Sequence, residues 1–133
     1  EEKLNQLRYT NMGRDDIVKL AAETIPPAWE GGAHWAANAM CFYDAGAFPG
    51  VRGDAFVAYH GSWNRSEKAG YCVTRVYFEN GRPWGEQNYV DMLGADDKVI
   101  GRPVDVLVDH DGSLLISDDY GDRIYRLRYV GRK

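Results

Sequence analysis

From residue 39 onward the chain alternates short apolar runs with Gly, Asp and Asn: AMCFYD, DAFVAYH, YCVTRVYFE, NYVDML, VDVLVDHD, SLLISDD and RIYRLRYV. Runs of this length, rich in β-branched and aromatic residues and bounded by turn formers, predict seven strands. The N-terminal part reads differently. Leu4, Leu7 and Tyr9 alternate weakly, and then Asp15-Asp16 leads into Ile17, Val18, Leu20, Ala21 and Ala22. That spacing predicts a helix of about two turns with one buried face and an acidic pair at its N-terminus. Pro26-Pro27 ends it, and WEGGAH is a loop.

The strands repeat. AFVAYHG…GYCVTRVYF aligns with SLLISDDYGDRIYRLRY, each an apolar strand with a polar end, a Gly-containing turn and an alternating strand carrying an Arg, Arg75 or Arg126. A further strand and turn precede each copy. Strand–turn–strand–turn–strand at a period of roughly sixty residues suits consecutive propeller blades better than a sandwich. The expected fold is therefore all-β: about two four-stranded antiparallel blades behind a short N-terminal helix. Residues 1–24 form an N-terminal extension, 25–101 the first blade and 102–133 a second blade lacking its fourth strand. Either residues 1–13 supply that strand or the chain is a piece of something larger.

Composition narrows the partners. The 133 residues carry 16 basic and 20 acidic side chains, net −4, with no basic cluster, so nucleic acid is not an expected partner. No run approaches the ~20 apolar residues of a membrane span, and the polar start does not read as a signal peptide. Cys41 and Cys72 fall inside strands and are expected as buried free thiols; a disulfide needs geometry that sequence does not give. No His/Cys ligand spacing is present, so the sequence nominates no metal ligand. DHDG, Asp109 to Gly112, lacks the downstream ligands of a calcium loop and reads as a tight turn.

One strand exit concentrates chemistry. YHGSWNRS places His60, Trp63, Asn64 and Arg65 within six residues. With AHWAANAMCFYD, GYCVTRVYFENGRPWG and GRPVDVLVDHDGSLLISDDYGDRIYRLRY, this stretch resembles the C-terminal portion of the PQQ-dependent sugar dehydrogenases, the glucose/sorbosone dehydrogenase family of six-bladed propellers. The resemblance runs from about Ile25 to the C-terminus. It implies pyrroloquinoline quinone as cofactor, a sugar as substrate and a periplasmic or secreted setting. Members are longer and carry their general-base His and most calcium ligands in earlier blades. No catalytic residue is therefore assigned here, and any calcium would be held mostly from outside this chain.

PQQ is a planar quinone with three carboxylates, so its site needs cations and flat groups. The resemblance places Arg102 of GRPVDV at the family's PQQ-contacting arginine; Val104 stands where a second Arg can occur. Surface Arg before a Pro-set turn is the plain alternative. His60 and Arg65 occupy a strand end that also reaches PQQ in the family, against a satisfied strand-end His and a solvent-facing cation. His34 matches the other channel-facing loop of the same blade, or is an ordinary loop His. Asp118, taken as the counterpart of His60 in the second copy, would meet a sugar hydroxyl or pair with Arg102, while Asp119 would cap the next turn. Trp63 either packs beneath its loop or stacks on a ligand.

Two functions compete: a segment of a PQQ-dependent sugar dehydrogenase, transferring hydride from a sugar hydroxyl to the quinone, or a non-catalytic propeller fragment that binds a carbohydrate or protein partner. In either case bare blade faces, expected to carry Phe56, Val73, Leu115 and Ile124, should drive assembly. A trimer completing a ring is favoured, then a dimer, then co-assembly with a larger missing portion.

Overall fold

The computed structural model describes residues 13–131 and contains one helix and seven strands. Helix α1, Arg14–Glu23, starts where the Asp16 carboxylate accepts the Gly13 N–H (3.2 Å), and it stops at extended Thr24 before the two prolines. Its expected buried face does not exist: no residue of α1 is buried, and Val18 and Leu20 face solvent. Two of its five apolar positions are alanines, which offer little area to bury. The alternation at Leu4, Leu7 and Tyr9 lies outside the described residues.

All seven predicted strands are present. β1 (Ala37–Phe42), β2 (Ala55–Tyr59), β3 (Cys72–Glu79) and β4 (Arg82–Asp91) form one antiparallel sheet in chain order. β5 (Pro103–Val108), β6 (Leu114–Asp118) and β7 (Arg123–Leu127) form a second. β4 begins six residues before the expected NYVDML, because Asn80 and Gly81 both take positive φ (51° and 75°) and close a two-residue hairpin that pairs Glu79 with Arg82.

The repeat is one of register as well as of residue type. Arg75 lies opposite Phe56 and Arg126 opposite Leu115, the second residue of each middle strand. Each first strand is bulged one residue after its start, at Ala37/Ala39 and at Pro103/Asp105. Both arginines reach back to acids in the preceding turn. Arg75 Nε binds Asp54 Oδ2 (2.6 Å), while Arg126 Nη1 binds Asp109 Oδ2 (2.6 Å) and Asp111 Oδ2 (3.3 Å). In DHDG the Arg126 guanidinium thus sits between the two carboxylates. Hydrogen bonds from the His110 side chain and backbone and from Arg126 lower the Asp109 pKa to about 2.

Strand alternation decides the core. Phe56, Ala58, Val73, Val106, Leu114 and Ile116 meet between the two sheets with Tyr43, Phe48, Tyr71 and Met92. Phe56 and Val73 are therefore interior residues and do not belong to a bare face. The alternate positions of the first sheet, Met40, Phe42, Val57, Val76 and Phe78, line an apolar hollow of about 580 Å³ together with the 28–37 loop. That loop is anchored by Trp29 Nε1 donating to Glu86 Oε2 (3.1 Å), and Gly31 lies so close to the Tyr59 hydroxyl that a Cβ would collide with it. On the outer side of the second sheet Ile124 is 73% exposed and Leu107 also faces solvent. Cys41 and Cys72 are unbonded, and burial pushes their thiols up to about 11 and about 12. Among the described residues no helix is long and apolar enough to cross a membrane.

Gly61 joins β2 to the polar stretch with φ of 100°, and a Cβ there would run into the Tyr71 ring. Gly61→Ala should destabilise the chain by about 3 kcal/mol, from left-handed strain plus overpacking. Urea unfolding of the two proteins measures it.

Candidate functional site

The YHGSWNRS stretch is a loop tied at its neck. Ser62 N–H donates to Ala69 O (2.9 Å), Ala69 N–H to Ser62 Oγ (3.0 Å), and the Tyr71 hydroxyl donates to Ser62 O. Everything between the knots is pushed outward: Trp63 is 85% exposed, so it does not pack beneath the loop.

Beside it the second sheet begins. The Arg102 backbone N–H donates to Asp118 Oδ1 (2.8 Å), and its guanidinium contacts His60 through Nη2 to Nδ1 (2.9 Å) and Nε to the carbonyl oxygen (3.4 Å). The other nitrogen of that ring, Nε2, stands 3.0 Å from both carboxylate oxygens of Asp119. Two loops from different sheets are thereby clasped at one end of the molecule.

The two acids exchange their expected roles. Asp118, 3% exposed, accepts the N–H groups of Arg102, Tyr120 (3.0 Å) and Gly121 (3.2 Å), with the Tyr125 hydroxyl at 3.3 Å from its second oxygen. Burial alone would raise its pKa; the three amides and the Tyr125 hydroxyl outweigh this and hold it below the usual carboxylate range. Asp118 is the turn cap, with both of its oxygens engaged inside the chain. Asp119 is exposed and faces His60. Register explains the exchange: Tyr59 and Asp118 each end a five-residue middle strand, so the true counterpart of His60 is Asp119. An offset of one residue turns a side chain to the opposite face.

Arg65 and His34 stand apart from this cluster. The Arg65 Nη1 donates to Ala33 O (3.1 Å), which holds the 62–69 loop against the 28–37 loop. His34, at φ 65°, lines the apolar hollow on the outer face of the first sheet. Of the five nominated residues, the structure brings Arg102, His60 and Asp118 together and leaves Arg65 and His34 at the flank.

Sequence reasoning missed half of the site. Arg102 lines a cleft of about 320 Å³ with Lys68, Lys98, Trp63, Tyr71, Val99 and Tyr120. Three cations and two exposed aromatic rings surround it, and no acid is among its lining residues. Lys68 Nζ donates to Asp97 O (2.8 Å), which joins the 62–69 loop to the segment before β5. Such a cleft suits a flat polyanion: guanidinium and ammonium groups meet carboxylates, and the rings offer faces. Among the described residues there is no cluster of three or more His, Cys, Asp or Glu able to hold a metal ion.

A family model described as TrAA12-like matches residues 10–130, and the chain belongs to that family. An uncharacterized protein of Borreliella burgdorferi (strain ATCC 35210 / DSM 4680 / CIP 102532 / B31) is 38% identical over 110 residues, 79% of this chain and 29% of that protein. Among solved structures, the holo pyranose dehydrogenase PQQ domain from Coprinopsis cinerea superposes with a TM-score of 0.64 at 23% identity, covering 90% of this chain and 33% of that one. The calcium structure of Trichoderma reesei Carbohydrate-Active Enzymes Family AA12 gives a TM-score of 0.55 at 26% identity, over 69% of this chain and 24% of that one. A glucose dehydrogenase gives 0.56 at 22% identity, over 84% and 30%. The chain thus spans about a third or less of the length of each of these proteins.

The exchanged acids give a direct test. Asp118→Ala strands three amides and should cost about 3 kcal/mol, whereas Asp119→Ala should stay within about 0.5 kcal/mol. Because the folded-state pKa of Asp118 is depressed, its contribution is present above the unfolded carboxylate value of ~3.9 and fades as pH falls through the lower folded value. Denaturant unfolding at neutral pH and again below pH ~4 should therefore show the Asp118→Ala deficit shrinking at the acid end.

Proposed function

We propose that this chain is a segment of a PQQ-dependent sugar dehydrogenase and forms one wall of its cofactor site. The observation that carries the reading is the Arg102–Lys68–Lys98 cleft flanked by Trp63 and Tyr120. It matches a planar tricarboxylate in charge and in size class. The TrAA12-like family and the PQQ domain among the solved relatives support the same cofactor. When bound, PQQ would supply the electron sink for oxidation of a sugar hydroxyl. This chain's residues would bind and orient it: Arg102, Lys68 and Lys98 on the carboxylates, Trp63 and Tyr120 against the ring. His60 is not the base in this reading, since Arg102 and Asp119 engage both its ring nitrogens.

The two sheets are proposed as neighbouring blades of a propeller, corresponding to the C-terminal portion of the longer relatives, in a periplasmic or secreted protein. Calcium, where the whole enzyme uses it, would be held mostly by residues outside this chain. A second reading, a self-assembling propeller fragment without catalysis, is favoured by the apolar outer faces. Met40 and Phe42 on one sheet and Leu107 and Ile124 on the other are exposed. Faces of this kind need covering. Either the remainder of a longer chain covers them, or copies of this one do so head to tail, a trimer closing a ring most simply.

Titration of the 133-residue chain with PQQ, followed by the quinone absorbance, tests the first reading. Saturable binding that weakens about tenfold or more in Arg102→Ala or Lys98→Ala is expected; absence of binding refutes the cofactor wall. Sedimentation of the same sample tests the second. A concentration-dependent mass above 15.0 kDa supports self-assembly, and a clean monomer refutes it.

A further inference from the structure

Arg102 cannot accept a hydrogen bond, because every polar hydrogen site on a guanidinium is a donor. Its Nη2 lies 2.9 Å from His60 Nδ1, so that nitrogen presents its lone pair and a neutral ring carries its proton on Nε2. Nε2 in turn lies 3.0 Å from each oxygen of Asp119, which accepts this proton. The partner of one ring nitrogen sets the state of the other.

We propose that Asp119 is a positioning residue for the cationic cleft: it accepts the Nε2–H of His60 and so fixes the ring's orientation, and the ring then aims the Arg102 guanidinium. His60 takes up Arg102 Nη2 through its ring and Nε through its carbonyl oxygen. Among the described residues the other guanidinium N–H groups of Arg102 have no acceptor in the chain, and Arg102 lines the cleft. The two adjacent acids divide the work on one residue. Asp118 holds the Arg102 backbone, and Asp119 holds its side chain through the imidazole. Only the ligand of the cleft rests on the reading in the preceding section; the relay itself does not.

The proposal makes an unusual sign prediction. Asp119 is an anion near an anion-binding cleft, so on Coulombic grounds alone its removal should tighten anion binding. Loss of positioning should weaken it instead. Asp119 is exposed and Asp118 keeps the turn capped, so Asp119→Ala should fold normally, which thermal unfolding checks.

The experiment has two arms on the 133-residue chain. Imidazole 15N and 1H chemical shifts of wild type, without any ligand, should report His60 as the Nε2–H tautomer with that proton hydrogen-bonded, loss of the hydrogen-bonded shift in Asp119→Ala, and recovery in Asp119→Glu. A wild-type ring protonated on Nδ1, or an Nε2–H shift unchanged in Asp119→Ala, overturns the relay. In the second arm, PQQ should bind Asp119→Ala about tenfold more weakly than wild type, the loss expected for one hydrogen bond to a charged group. Equal or tighter binding overturns the positioning role. If wild type binds no PQQ, the cofactor reading falls, and the same two proteins titrated with benzene-1,3,5-tricarboxylate decide the proposal by the same direction of change.

Discussion

Side chains on a strand alternate between two faces, and most of this molecule follows from how that period is used. Phe56 and Ala58 on β2 and Leu114 and Ile116 on β6 belong to one core between the sheets, all of them nearly or fully inaccessible. Packing at this density fixes how one sheet lies on the other. With both middle strands five residues long and both first strands bulged at the same place, the two strand exits arrive at one end together. His60 and Asp119 each stand one residue beyond an exit, and they touch. A slip of one residue in either sheet would expose the core and separate the clasp at the same time.

The same alternation leaves the outer faces apolar. Val57, Val76 and Phe78 cannot point inward while Phe56, Val73 and Arg75 do. In an antiparallel sheet with one solvated face these positions would be polar. Here they are not, and the 28–37 loop shelters only part of one face. Two-sided apolar sheets belong to architectures in which every sheet has a neighbour on both sides.

Much of the fold was legible because strand runs and turn residues are local signals. All seven strands could be read, as could the helix start at Asp15-Asp16 and its stop before Pro26. The extension of β4 back to Arg82 is carried by Asn80-Gly81, whose positive φ values close the hairpin that pairs Glu79 with Arg82. The site was legible only where its residues were near one another in sequence. His60 stood out in the YHGSWNRS cluster and Arg102 through family resemblance, whereas Lys68 and Lys98 come from loops thirty residues apart whose approach depends on a side chain meeting the Asp97 carbonyl. Asp118 was taken as the counterpart of His60 because the repeat was aligned on polar character. Aligned on strand length it falls opposite Tyr59, and buried acids at such positions serve backbone amides.

Net charge is a poor guide to what this chain attracts. At −4 it is an acidic protein, yet its cleft is lined by cations. The difference lies in where the acids are committed. Asp54 is taken by Arg75 and the Phe78 amide, Asp109 and Asp111 by Arg126 and their own turn, and Asp118 by three amides. Each is an anion whose field is largely answered within a few ångströms, and what remains is screened over ~8–10 Å at ordinary ionic strength. Lys98 and Arg102 touch acids through their backbone N–H groups, at Asp96 and Asp118. Among the described residues, though, the side chains of Lys68 and Arg102 meet only neutral partners: a carbonyl oxygen for Lys68, an imidazole and a carbonyl oxygen for Arg102. Their charge is left for whatever enters the cleft. Anions hold the backbone in place, cations are left facing outward, and a locally positive surface arises on a globally negative chain.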